Sequence, residues 1–126
     1  MSAIRTLLTS VFILSTITLT AEAATSCRAP LAPSIPNGVT AEKTEILAAL
    51  KAIKKDFQPA IKNFQNCVAT EKEAVGDVAT KAQIAEWDML YDAAYGLETQ
   101  VAEAMNVAIR AYKARIADKA DPKKSE

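Results

Sequence analysis

Two side chains in this 126-residue chain carry chemistry that their number makes definite, Cys27 and Cys67. An even cysteine count in an exported chain points to a disulfide, and with two thiols the pairing has a single solution. A metal site built on the same sulfurs would need both reduced to thiolates and two further ligands, which an oxidising compartment opposes. Histidine is absent from the whole chain, so the commonest general base and metal ligand are both missing. There is no glycine-rich phosphate loop and no G-x-S-x-G nucleophile motif. Asp88 and Asp92 lie four residues apart and could share a cation, but hard cations usually demand six or more oxygens, and a solvated acidic face meeting lysines is the expected reading. Trp87 and Tyr91 fall at core spacing, whereas Tyr95 lies off that stripe and is the better surface aromatic. No catalytic, cofactor-binding or metal-ligating residue is therefore assigned.

The compartment comes from the first residues. A short basic start with Arg5, an apolar stretch from Leu7 to about Leu19, and Ala21-Glu22-Ala23 form a signal peptide over residues 1–23 with an A-x-A cleavage site. Thr9, Ser10, Ser15, Thr16 and Thr18 interrupt the apolar run, which falls short of the roughly 20 residues that span a bilayer. Cleavage after Ala23 removes Arg5 and Glu22, one charge of each sign, so the net charge of zero persists in the mature chain. A chain without net charge has no electrostatic footprint for nucleic acid. Cys27 as a lipid acceptor is the rival reading, which would make a membrane-anchored lipoprotein. The preceding Ala24-Thr25-Ser26 lacks the Leu-like residue expected three positions upstream of such a cysteine. The expected location is periplasmic or secreted.

After the leader, residues 24–118 read as one helical domain. Apolar residues at Ile46, Leu50, Ile53, Phe57, Ile61, Phe64 and Val68 keep one stripe on one face of a helix over about 41–75. A second stripe at Ile84, Trp87, Tyr91, Ala94, Val101, Met105, Ala108 and Tyr112, flanked by Leu90 and Leu97, predicts a helix over about 81–117. Thr40 is the expected N-cap of the first, Thr80 with Gln83 has the capping-box pattern for the second, and Gly76 suits the end of the first. A short turn at 76–80 makes the pair an antiparallel helical hairpin. Pro59 conflicts with a regular first helix and predicts a kink near 55–59, with a full break as the alternative. Residues 119–126 are polar and read as a disordered charged tail. Folding about residue 78 sets Glu86, Asp88, Asp92, Glu98 and Glu103 opposite Lys51, Lys54, Lys55 and Lys62, and brings Arg110, Lys113 and Arg115 near Glu42 and Glu45.

Residues 27–39 form a proline-rich arm. Pro30, Pro33 and Pro36 recur every three residues, the turn of a polyproline II helix. From Cys27 to Thr40 such a helix covers roughly 40 Å, and the α-helix from Thr40 to Cys67 covers about the same length. The arm should therefore turn near Asn37-Gly38, run back along the first helix and be clasped there by Cys27 and Cys67. Interpolation sets Pro36 near Ile46 and Leu50, Pro33 near Ile53 and Phe57, and Pro30 near Ala60 and Phe64. The two PxxP spacings could dock to a partner's aromatic groove, but the length match favours packing within the chain.

The run Cys27-Arg28-Ala29-Pro30-Leu31-Ala32-Pro33-Ser34-Ile35-Pro36-Asn37-Gly38, followed by helices that carry Cys67 and Met105 to Lys113, resembles a group of small exported bacterial proteins. These share a C-x2-P-x2-P-x-I-P-x-G arm and a second cysteine some forty residues on. The resemblance implies export, a disulfide and helices, and carries over no functional residue; Pro59 departs from its pattern. The sequence reading is thus an all-α, non-enzymatic protein without a cofactor, acting on a protein partner or on itself. A small carrier of apolar ligands is the other alternative. Leu47, Ile61, Val75, Leu90, Leu97 and Ile109 broaden the apolar surface beyond one seam and point to self-association.

Overall fold

Helix-forming residues fill the chain after its arm, and the computed structural model, which describes residues 25–120, is helical there with no strand among the described residues. Helix α1 spans Lys43–Ala52, a π-helical turn follows at Ile53–Phe57, and α2 spans Gln58–Val75. A 3₁₀ turn at Gly76–Val78 leads to α3, Lys81–Ala120. The expected signal peptide and residues 121–126 of the expected tail lie outside the described residues. Lys119 and Ala120, assigned to that tail, are the last residues of α3.

The helix termini show which local signals won. At the start of α1 the N-cap is Glu42, not Thr40. Glu45 Oε2 accepts from the Glu42 backbone N–H at 2.7 Å, closing a reciprocal capping box. Thr40 is used earlier, in a turn where the Asn37 carbonyl accepts from the N–H groups of Thr40 and Ala41 at 3.1 and 2.7 Å. The capping box of α3 forms as the sequence indicates, with Gln83 N–H donating to Thr80 Oγ1 at 3.1 Å and Thr80 N–H to Gln83 Oε1 at 2.9 Å. Gly76 caps α2 at φ 59°, a left-handed value that favours glycine.

Pro59 neither breaks the segment nor sits inside a regular helix. The backbone stays in the right-handed helical region through Ala52, Ile53, Phe57 and Gln58, and Gln58 N–H reaches back five residues to the Ile53 carbonyl. That wider turn places Pro59 in the first turn of α2, where its missing donor costs least. The inserted turn also shifts the buried face. Ala49 is buried at 8 % exposure while Leu50, expected in the stripe, is 39 % exposed.

Two apolar clusters result. The first joins Cys27 of the arm with Phe57, Ile61, Phe64 and Val68 of the first helical segment and Trp87, Ala94 and Val101 of α3. The second joins Ala41, Ile46 and Ala49 with Met105 and Ala108. Ile35 and Ile53 pack against both and make the core continuous. On α3, Ile84 and Tyr91 fall outside, at 37 % and 46 % exposure, contrary to the expected stripe. Polar contacts give the register: Lys72 Nζ meets Asp88 Oδ1 at 2.6 Å, Gln65 Nε2 donates to the Tyr91 carbonyl at 3.4 Å, and Arg115 donates to the Ala41 carbonyl. Partner numbers therefore fall along α3 as they rise along the earlier helices. Arg115 donates to the chain entering α1, at the residue before Glu42, and its guanidinium lies over the Tyr112 ring at 5.4 Å.

Gly38 lies directly against the backbone of α3. A methyl group there would lie 2.0 Å from the Ala108 carbonyl oxygen and 2.9 Å from Ala111 Cβ. The turn that delivers it is fixed by Asn37, whose Oδ1 accepts from Val39 N–H at 3.0 Å. Gly96, within α3, has nothing within 4 Å of such a methyl. Gly38→Ala should therefore destabilise the fold by about 1–3 kcal/mol as an overpacked site, whereas Gly96→Ala should stabilise it by roughly 0.5–1 kcal/mol through helix propensity. Urea unfolding of the two variants checks the contrast, and equal effects would contradict the packing.

Candidate functional site

The arm's first described residues converge on one turn of α2. Cys27 and Cys67 are bonded, with Cα atoms 5.8 Å apart, well inside the span a disulfide bridges without backbone movement. One helical turn beyond Cys67 comes Glu71, whose position four residues on puts it on the same face. Its Oε2 accepts from Thr25 Oγ1 at 2.6 Å, and its Oε1 accepts from the Ser26 backbone N–H at 2.9 Å and from the Ser26 hydroxyl. Thr25 Oγ1 in turn accepts from Cys27 N–H at 3.1 Å. A covalent bond and a carboxylate latch thus hold the start of the arm side by side.

Hydrogen bonds from the Ser26 and Thr25 hydroxyls hold the Glu71 carboxyl below its ordinary value, with smaller pushes the same way from the Ser26 amide and Trp87 and a partial offset from burial. The hydrogen-bonded form is the anion, and donors that bind an anion favour it.

The two sulfurs and a Glu71 oxygen lie within 4.8 Å of one another. In the bonded state neither sulfur is a thiolate, the form that binds metals, so this trio works as a clasp and does not fit a metal ion. Both cysteines are taken up by this bond, and neither is free. Among the described residues no helix is long and apolar enough to cross a membrane.

The sequence-named arm residues are placed as follows. Pro30 is half-buried and shares a surface cavity with Ala60, Phe64 and Cys67, while Pro33 and Pro36 are half-buried. Phe57 and Phe64 lie in the first cluster at 4 % and 5 % exposure. Leu50 belongs to neither cluster. The arm residue that reaches both is Ile35, which lies off the face shared by the three prolines. Sequence reasoning also missed Thr25, Ser26 and Glu71. Their signal was the i, i+4 relation of Glu71 to Cys67: whatever flanks one cysteine must meet whatever lies one turn from the other. Asp88 is engaged by Lys72, and Trp87 is buried at 8 % exposure while Tyr95 stands 66 % exposed.

No family model, curated protein or solved structure matches this chain.

Two outcomes follow from the clasp. The disulfide closes a sequence separation of 40 residues, which in the chain-entropy account is worth about 4 kcal/mol. Reduction should lower the melting temperature by a corresponding amount, and Cys67→Ser should expose the arm to protease before the helices melt, as limited proteolysis alongside circular dichroism will show. The Glu71 carboxyl is lowered from 4.5, so its contribution is complete above that unfolded value and is lost as pH falls through the folded one. Stability should therefore drop as pH falls below about 4.5, and this part of the drop should be absent in Glu71→Gln. Chemical unfolding at stepped pH measures it.

Proposed function

We propose that the chain is exported, loses its leader after Ala23, and acts without catalysis in the periplasm or outside the cell as a binding protein whose preferred partner is a second copy of itself. Its architecture in this reading is an antiparallel helical hairpin with a polyproline II arm clasped to the first helix. The descending order of pairings along α3 supports the hairpin, and the recurrence of prolines in an arm whose Cys27 is bonded to Cys67 supports the clasp. The disulfide supports export, because such bonds persist in oxidising compartments. The absence of histidine from the sequence supports a role without acid–base catalysis at neutral pH.

The observation that carries the binding role is the set of large apolar side chains outside both clusters. Of the six residues that suggested a broad apolar surface, Ile61 is buried and Val75, Leu90, Leu97 and Ile109 pack against the core; Leu47 alone stays exposed, at 54 %. The exposed set is instead led by Leu31 at 90 % and Val78 at 84 %, followed by Tyr95 at 66 %, Met89 at 62 %, Val39 at 61 % and Val107 at 56 %. Met89 and Val107 lie five helical turns apart on one line of α3, the line turned away from Trp87 and Met105. A bundle of four or more helices would cover that line.

Sedimentation of the oxidised mature protein should show dimers or larger species at high micromolar concentration. Lysine at Met89 and Val107 together should return it to monomer without changing its helix content. A monomer throughout, with no binding of an apolar dye, overturns self-association.

A further inference from the structure

Helix α3 carries its charge in two blocks. From Glu86 to Glu103 every charged side chain is acidic, and from Arg110 to Lys119 all are basic apart from Asp118. The chain itself leaves most of this charge without an opposite. Among the described residues Asp88 alone of the acidic block is in an ion pair, with Lys72, and Arg115 donates to the Ala41 carbonyl. Asp92 and Arg110 are exposed and take part in no hydrogen bond or ion pair there. Each sits three residues beyond an exposed apolar side chain, Asp92 beyond Met89 and Arg110 beyond Val107. One face of α3 thus shows two apolar-and-charged pairs of opposite sign, five turns apart. Gly96 lies between them on that face. A glycine inside a helix costs stability against alanine, and nothing in the chain comes within 4 Å of the methyl group it omits. Packing within the chain does not call for it; a backbone approaching from outside does.

We infer that α3 binds α3 of a second copy, antiparallel, across a two-fold axis near Thr99 and Gln100. The inference rests on the self-association reading above and gives it a face, a direction and a register. Turning the second copy end for end sets Asp92 of each copy within about one helical turn of Arg110 of the other, and Met89 of each likewise near Val107. Both contacts occur twice, because a two-fold interface uses the same patch on both sides. Parallel packing would set acidic block against acidic block, and like charges across an interface oppose association. Gly96 falls within about one turn of the axis, where its bare backbone lets the helices approach.

The test is sedimentation of the oxidised mature protein at low and high salt. Asp92→Arg and Arg110→Asp should each weaken the dimer by roughly tenfold at low salt, because each turns two attractions into two repulsions. Mixed in equal amounts, the two variants should recover a dimer near parental strength, since both contacts in the mixed pair are of opposite sign. The same charges placed at exposed positions outside α3, Glu73→Arg mixed with Lys55→Asp, should neither weaken the dimer nor favour a mixed one. Gly96→Leu should weaken association while circular dichroism shows the helix content kept. A parent dimer that either reversal or Gly96→Leu leaves unchanged, that the mixture does not restore, or that the outside pair disturbs equally overturns this pairing and leaves self-association standing. A parent that stays monomeric at high micromolar concentration overturns both.

Discussion

The fold depends on a covalent tie between chain segments of unlike rise. From Cys27 to Asn37 the chain has no helix, whereas from Lys43 through the π-helical turn to Cys67 it is helical and gains about 1.5 Å per residue. The bond between Cys27 and Cys67 brings two points 40 residues apart in sequence to a Cα separation of 5.8 Å. With the bond closed, two apolar side chains of the arm, Cys27 and Ile35, join the core. Cys27 itself is buried in the first cluster, and Ile35 joins that cluster to the second. A pair of long helices alone would have one thin seam; the arm adds a third surface to it.

Two backbone adjustments make that packing possible. The π-helical turn at Ile53–Phe57 absorbs Pro59 without ending the helix, at the cost of rotating the stripe so that Ala49 faces inward and Leu50 outward. The small side chain at Ala49 sits in the same cluster as Ala41 and Ala108, where the arm's turn crosses to α3. Gly38 completes that crossing by letting backbone meet backbone. Small residues thus concentrate at the end of the molecule where the chain reverses, and the bulky ones, Phe57, Phe64 and Trp87, gather near the disulfide.

Polar groups are used at the edges of this core. Glu71 gathers the hydroxyls of Thr25 and Ser26, and Arg115 holds the carbonyl of Ala41 at the other end. These contacts fix where the arm begins and where it hands over to α1. Exposed pairs such as Lys72 with Asp88 contribute little energy and act mainly on register.

The sequence by itself determined the helical class, the α3 capping box at Thr80 and Gln83, the helix end at Gly76 and the pairing of Cys27 with Cys67. Each of these rests on periodicity, on one local hydrogen-bond pattern or on a count of two, which need no partner elsewhere in the chain. Tertiary structure decided the rest. Glu42 displaced Thr40 as a cap because Asn37 had already drawn Thr40 into the turn that seats Gly38 on α3. Leu50 lost its inward place beside a π-helical turn, and Tyr91 stands 46 % exposed, which spacing alone does not show. Glu71 looked like one carboxylate among many until the disulfide set Thr25 and Ser26 against it. Its role is a relation between segments 45 residues apart, and only the closed fold brings those segments within hydrogen-bond reach.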